Sequence, residues 1–119
     1  MNDTLSALVI KFLMTFIVAS VAFIGLDGNP WGWVFGFAIL ATALNYVVGD
    51  LYILPEYGNI YASVGDGVLG LVAAYVVSLV TVFQTTIGSL ILFGILVAVG
   101  EYFFHKVIVK DEDVSPNTK

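Results

Sequence analysis

The chain contains no cysteine. Disulfides, zinc–thiolate centres and thiol chemistry are therefore excluded. Arginine is absent too, and four lysines stand against nine acidic residues, for a net charge of −5. Nucleic acid is recognised by a basic patch, so no nucleic-acid partner is expected. Charge of either sign is scarce: 11% of the 119 residues are charged and 60% are hydrophobic, against about 25% charged in an average soluble domain. No glycine-rich phosphate loop occurs. No nucleophile stands beside a base, and Ser63, Ser78 and Ser89 lack any local activation motif. The expectation is a non-enzymatic protein with no cofactor.

What remains is apolar sequence in long unbroken blocks, with a mean hydropathy of +1.01. A bilayer core requires roughly 20 apolar residues of helix, and four segments qualify, at about 5–26, 33–54, 60–83 and 86–108. Barrel strands would be half as long and would alternate polar with apolar, so the spans are helices. The N-terminus MNDT lacks the positive cluster and cleavage site of a signal peptide, which makes the first run a retained span. The fold class expected is all-α: a polytopic integral membrane protein built as an antiparallel bundle of four transmembrane helices over residues 1–110, with a short polar cytoplasmic tail at 111–119.

Short connections make successive helices antiparallel neighbours. LDGNPW is a turn by composition. In PEYGN, Pro55 interrupts the second span, Gly58 permits a positive φ and Asn59 is a candidate cap for the third, giving a hairpin turn of Pro55, Gly58 and Asn59. Lys11, Lys106, Lys110 and Lys119 all fall on the side of the termini, and the opposite loops have none. By the positive-inside rule both termini and the PEYGN loop are cytoplasmic. Trp31 and Trp33 then lie at the outer interface, and Tyr52, Tyr57 and Tyr61 at the inner one.

Ionisable residues within these spans gather at one depth. At 1.5 Å per residue, Lys11, Asp50, Asp66, Glu101 and His105 lie roughly 5–10 Å in from the cytoplasmic ends. Helical spacing puts Lys11 on a stripe with Thr15, Val18, Ala22 and Gly25, and Asp66 with Ser63, Gly70, Ala73 and Val77. Glu101 and His105 line up with Gly94 and Ala98, and Asp50 with Tyr46, Ala43, Ile39 and Gly36. Small residues mark the faces where membrane helices meet, so these five form a candidate intramembrane polar cluster. Lys106 lies off that face and snorkels to the headgroups.

Intramembrane charge costs about 2.5–3.5 kcal/mol per residue on insertion scales, and three carboxylates against one well-placed lysine leave negative charge to balance. Three roles fit. One is an ionic latch that fixes helix register, another a site for protons, a cation or a polar ligand, and the third a partner-docking surface. Glu101 and His105 at i, i+4 have ligand spacing, but one histidine and no cysteine make a poor zinc set, and no metal is expected. The leading expectation is a structural or accessory membrane protein. The alternative is a proton- or cation-responsive carrier or channel using the intramembrane carboxylates. Its expected partners are the lipid bilayer and a second copy or another membrane protein. Gly32 and Gly36 form a GxxxG pair.

The stretch GDLYILPEYGNIYASVGD carries a further signal in Gly49, Asp50, Leu51, Ile53, Leu54, Pro55, Gly58, Asn59, Ala62 and Asp66. It resembles the signature of the YndM-like family, small four-helix membrane proteins of spore-forming Gram-positive bacteria, a domain of unknown function. Residues 10–12 (IKF) and 101–105 (EYFFH) also resemble family positions. At Glu56 the chain departs from the basic residue that the resemblance implies. The resemblance implies a four-helix protein of the bacterial inner membrane and implies no activity.

Overall fold

The structure, a computed structural model, describes residues 3–112, with side chains described for residues 4–106. Its regular structure is helical throughout. In chain order come α1 (Asp3–Ala19), a π-helical segment (Ser20–Ile24), α2 (Trp31–Leu44), a second π-helical segment (Asn45–Ile53), α3 (Leu54–Tyr57), α4 (Asn59–Val80) and α5 (Ile87–Glu112). These join into four helical rods, each long and apolar enough to cross a membrane: Thr4–Ile24, Trp31–Tyr57, Asn59–Val80 and Ile87–Lys106. Most of the polar tail expected at 111–119 lies outside the described residues, and α5 continues through Glu112.

The ends of the rods have local causes. After the first, Gly28 takes φ 72°, which a glycine adopts without strain. Pro30 follows at φ −61°, ψ 144° and leads into α2. Pro55 does not break the second rod as expected. It follows directly on the π-helical segment, with Ile53 and Leu54 before it helical, and helix continues to Tyr57. The turn narrows to Gly58 alone, at φ 92° and ψ 179°. Asn59 opens α4 without capping it, because its side chain is engaged elsewhere. The third rod ends at Val80, short of the expected Phe83. Thr81 turns extended, and its hydroxyl accepts from the Phe83 amide. Thr86 and Ser89 then start α5 as a reciprocal cap: the Ser89 N–H donates to Thr86 Oγ1 at 3.2 Å, and the Thr86 N–H to Ser89 Oγ at 2.9 Å.

The interior has two unlike halves. In one, Phe23, Phe37, Phe83 and Phe93 are fully or almost fully buried, with ring centroids 5.0 to 5.7 Å apart. Three of these pairs meet edge to face, Phe37 and Phe83 stack, and Phe23 and Phe93 are tilted, geometries that suit aromatic quadrupoles. Phe83 reaches it from the connection after α4, which explains why so apolar a residue belongs to a loop. Asn29 ties that end together: its Nδ2 donates to the carbonyls of Phe23 and Gln84, and its Oδ1 accepts from the Gln84 N–H. The other half holds the charges. The α4–α5 contact is the most extensive in the bundle. Its closest approach is at glycine, where a Cβ on Gly67 would stand 2.5 Å from the Gly94 carbonyl oxygen.

Candidate functional site

Asp50 reaches the interior because of how its helix is wound. The face expected for it, with Tyr46, Ala43, Ile39 and Gly36, is not the buried one, since Gly36, Ile39 and Ala43 are exposed. The buried face runs through Val34, Phe37, Ala38, Ala41, Thr42, Asn45, Gly49 and Asp50. An α-helix would carry Asn45 and Asp50 to different sides. Over Asn45–Ile53 the i→i+5 winding of a π-helix widens the turn and keeps both on one side. Such segments recur at functional sites. On the other three rods the expected faces hold for the charged residues: Lys11, Asp66, Glu101 and His105 are each 0% exposed, and Asp50 is 7%.

All five residues meet. Lys11 Nζ lies 2.6 Å from Glu101 Oε1, 3.2 Å from Asp50 Oδ2 and 3.9 Å from Asp66 Oδ2. His105 Nε2 lies 2.9 Å from Asp50 Oδ1, 3.3 Å from Asp66 Oδ2 and 3.4 Å from Glu101 Oε1. Each cationic side chain thus faces all three acids, and every rod contributes at least one member. The Lys11 ammonium also sits 5.0 Å from the centre of the Phe104 ring, a cation–π distance. Glycine makes room: a Cβ on Gly49 would run into the Asp66 carboxyl group.

A second layer holds the imidazole. Asn59 Nδ2 donates to the Tyr102 carbonyl at 3.0 Å, which fixes the amide so that its Oδ1 faces inward. That oxygen accepts from Ser63 Oγ at 2.9 Å and from His105 Nδ1 at 2.9 Å. Ser63 Oγ and His105 Nδ1 are 3.2 Å apart, and beyond them lies Asp50, so a serine–histidine–acid order is present. It is not a nucleophile's arrangement, because Nδ1 carries the proton it gives Asn59 and cannot take one from Ser63.

Nδ1 donates to Asn59, and Nε2 faces Asp50 Oδ1 at 2.9 Å. Two basic side chains, Lys11 and His105, thus stand against three acids. Several buried oxygens make no hydrogen bond within the protein: Asp50 Oδ2, both oxygens of Asp66 and Glu101 Oε2. One turn or more deeper on the same inward faces, Thr15, Thr42 and both amide atoms of Asn45 also lack one. One ligand atom from each of Asp50, Asp66, Glu101 and His105 fits within a 4.8 Å span, a set able to hold a metal ion. A groove of about 550 Å³ is lined by Pro30, Gly32, Trp33, Gly36, Phe37, Leu40 and Val77 and shares no residue with the cluster.

Residues 1–118 match the family described as "Protein of unknown function (DUF2512)". The chain belongs to the DUF2512 family. No curated protein and no solved structure matches it. For this DUF2512 protein the geometry of the site is therefore the argument about function. Asn59 and Asn45 are its contributors that sequence reasoning missed or misread. The available signal was position: an asparagine inside or at the edge of an apolar span is costly unless its amide is bonded.

Proposed function

We propose that this chain is a small, non-enzymatic structural or accessory protein of a bacterial cytoplasmic membrane, in which an ionic latch holds an antiparallel four-helix bundle. The observation that carries it is Lys11 Nζ, fully buried and within 3.9 Å of a carboxylate from each of the three other rods. Breaking any one rod out of register would strand buried charge, so the latch specifies a single packing.

Membrane insertion is supported by an inverted polarity. Lys11, Asp66, Glu101 and His105 are inside, whereas Ile10, Leu13, Ile17, Val68, Val72, Ile91 and Ile95 are outside. Exposed Trp31 and Trp33 fall at one end and exposed Tyr52, Tyr57 and Tyr61 at the other, as interfacial anchors do. Exposed Lys106, its ammonium 4.9 Å from the Tyr102 ring centre, fits a snorkelling side chain at the cytoplasmic end. Both termini are cytoplasmic by the lysine bias, and the narrower likeness to YndM-like proteins belongs to this reading. The bilayer is the first partner. A second copy or another membrane protein is the next, approaching where Gly32 and Gly36 leave open space on the outer face of α2. Nucleic acid is not a partner.

The carrier reading draws on the unpaired Thr15, Thr42 and Asn45, which extend polarity beyond the cluster. Against it, the Phe23, Phe37, Phe83 and Phe93 rings close the other half of the bundle. Purified protein in liposomes separates the two. The latch reading expects no proton or cation flux in the wild type and a lower melting temperature for Asp50→Asn and Asp66→Asn. A flux that these substitutions abolish in a folded protein would replace it with the carrier.

A further inference from the structure

We propose that Asp50, Asp66, Glu101 and His105 form a binding site for one divalent first-row transition-metal ion, with Lys11 as its fixed counter-charge. The site goes beyond the latch and does not depend on it.

The histidine is set up as a ligand. Metal-bound imidazoles commonly donate their second ring N–H to a neighbouring acceptor, which fixes the tautomer and aims the other nitrogen. Here Asn59 Oδ1 accepts from Nδ1 at 2.9 Å, and Asn59 is itself anchored on the Tyr102 carbonyl. Nε2 is left facing three carboxylates.

Those carboxylates stand at coordination spacing. Metal–ligand bonds of about 2.0–2.2 Å place neighbouring donors of a tetrahedron or octahedron roughly 2.8–3.6 Å apart. From His105 Nε2 the separations to Asp50 Oδ1, Asp66 Oδ2 and Glu101 Oε1 are 2.9, 3.3 and 3.4 Å. The ligand atoms all lie within 4.8 Å of one another, so the widest pair needs to close by about an ångström at those bond lengths.

Two of the acids also have an oxygen to spare. Asp50 turns Oδ2 to Lys11 and Oδ1 to His105. Glu101 gives Oε1 to Lys11, while Oε2 makes no hydrogen bond. Asp66 Oδ1 makes none either, although the side chain is only 1% exposed. Independently of the acids, Asn45 is 1% exposed with both amide atoms unbonded, on the inward π-helical face one turn from Asp50. Buried polar groups left without partners in a protein interior point to a ligand or water that completes them.

Charge closes as well. A dication and the Lys11 ammonium sum to three positive charges, matching three ionised carboxylates around a neutral His105. The donor set names the class. Three carboxylates and one imidazole, without thiolate, suit manganese, iron or zinc in the divalent state better than copper(I). The imidazole favours these over magnesium or calcium, which take oxygen alone.

The test uses the full chain in detergent, stripped with chelator and reloaded with Mn²⁺. One Mn²⁺ per chain is expected, with a saturable rise in melting temperature that Mg²⁺ does not reproduce. Electron spin-echo spectra of the wild type should show one coordinated imidazole nitrogen, and His105 is the sole histidine. His105→Gln should lose the ion, and Asn59→Ala should weaken it by about 10–100-fold, as loss of an outer-shell partner does. No retained Mn²⁺ after reloading would overturn the site. So would bound Mn²⁺ without imidazole coupling, which would place the ion on other acids. Because the spectrum is read on the wild type, a variant that fails to fold leaves the test intact. Because the latch is measured in chelator, its outcome stays separate.

Discussion

Gly49 is packed directly against the carboxyl group of Asp66: a Cβ at position 49 would lie 2.9 Å from Asp66 Cγ. The second rod thus offers the third rod bare backbone at the level where the charges converge. Asp66 can reach Lys11 and His105 only because that space is open.

Gly49→Ala should therefore displace Asp66 and destabilise the bundle by about 1–3 kcal/mol, the usual cost of overpacking. Gly36→Ala is the matched control. Nothing lies within 4 Å of a Cβ there, so the change should fall between neutral and the roughly 1 kcal/mol that Ala gains over Gly in a helix. Chemical unfolding in mixed micelles compares the pair. Equal effects would show that the Gly49–Asp66 contact carries no weight.

Asn29 joins the two connections at the opposite end through three hydrogen bonds. Asn29→Ala removes donor and acceptor together and leaves the Gln84 amide without its partner. A loss of about 1–3 kcal/mol is expected. Asn29→Asp keeps the acceptor for the Gln84 N–H and loses both donated bonds. It should still fall measurably below the wild type in the same unfolding assay.

Phe23 lies at the centre of the aromatic half and touches Phe37, Phe83 and Phe93. Truncation to alanine leaves a cavity among rigid rings and should cost about 3–5 kcal/mol. Phe23→Leu refills most of that volume and should recover a large part of the loss. Thermal melts of the two variants give the check.

Much of this was legible in the sequence. Run length alone located the four rods, because an apolar stretch of about 20 residues has few other uses. The depth of Lys11, Asp50, Asp66, Glu101 and His105 followed from counting residues along straight helices. The inward faces of the third and fourth rods followed from their regular period, as did that of the first up to its π-helical segment at Ser20–Ile24. The second rod defeated that reading. Counting back from Asp50 at α-helical spacing selected Tyr46 and Ala43, but the π-helical segment resets the phase between Asn45 and Ile53. Hydrogen-bond register is a tertiary outcome here, since widening the helix is what brings Asp50 to the cluster. Pro55 misled for a related reason: proline disfavours a helix interior, but here it stands where π winding gives way to α, and the helix runs on to Tyr57. Asn59 has the sequence character of a cap, and only the neighbouring α5 shows that its amide is used on Tyr102 and His105 instead.

The most direct measurement of the latch is a double-mutant cycle on Lys11 and Glu101, whose charged atoms stand 2.6 Å apart with both side chains fully buried. Lys11→Met alone should cost about 3–5 kcal/mol, because it strips three buried carboxyl groups of their lysine, and Glu101→Gln should cost less, because it removes one of the three acids. The double variant, unfolded in chelator-containing buffer, should lose less than the sum of the singles, by about 0.5–3 kcal/mol of coupling. Additive losses would contradict an ionic latch between these helices.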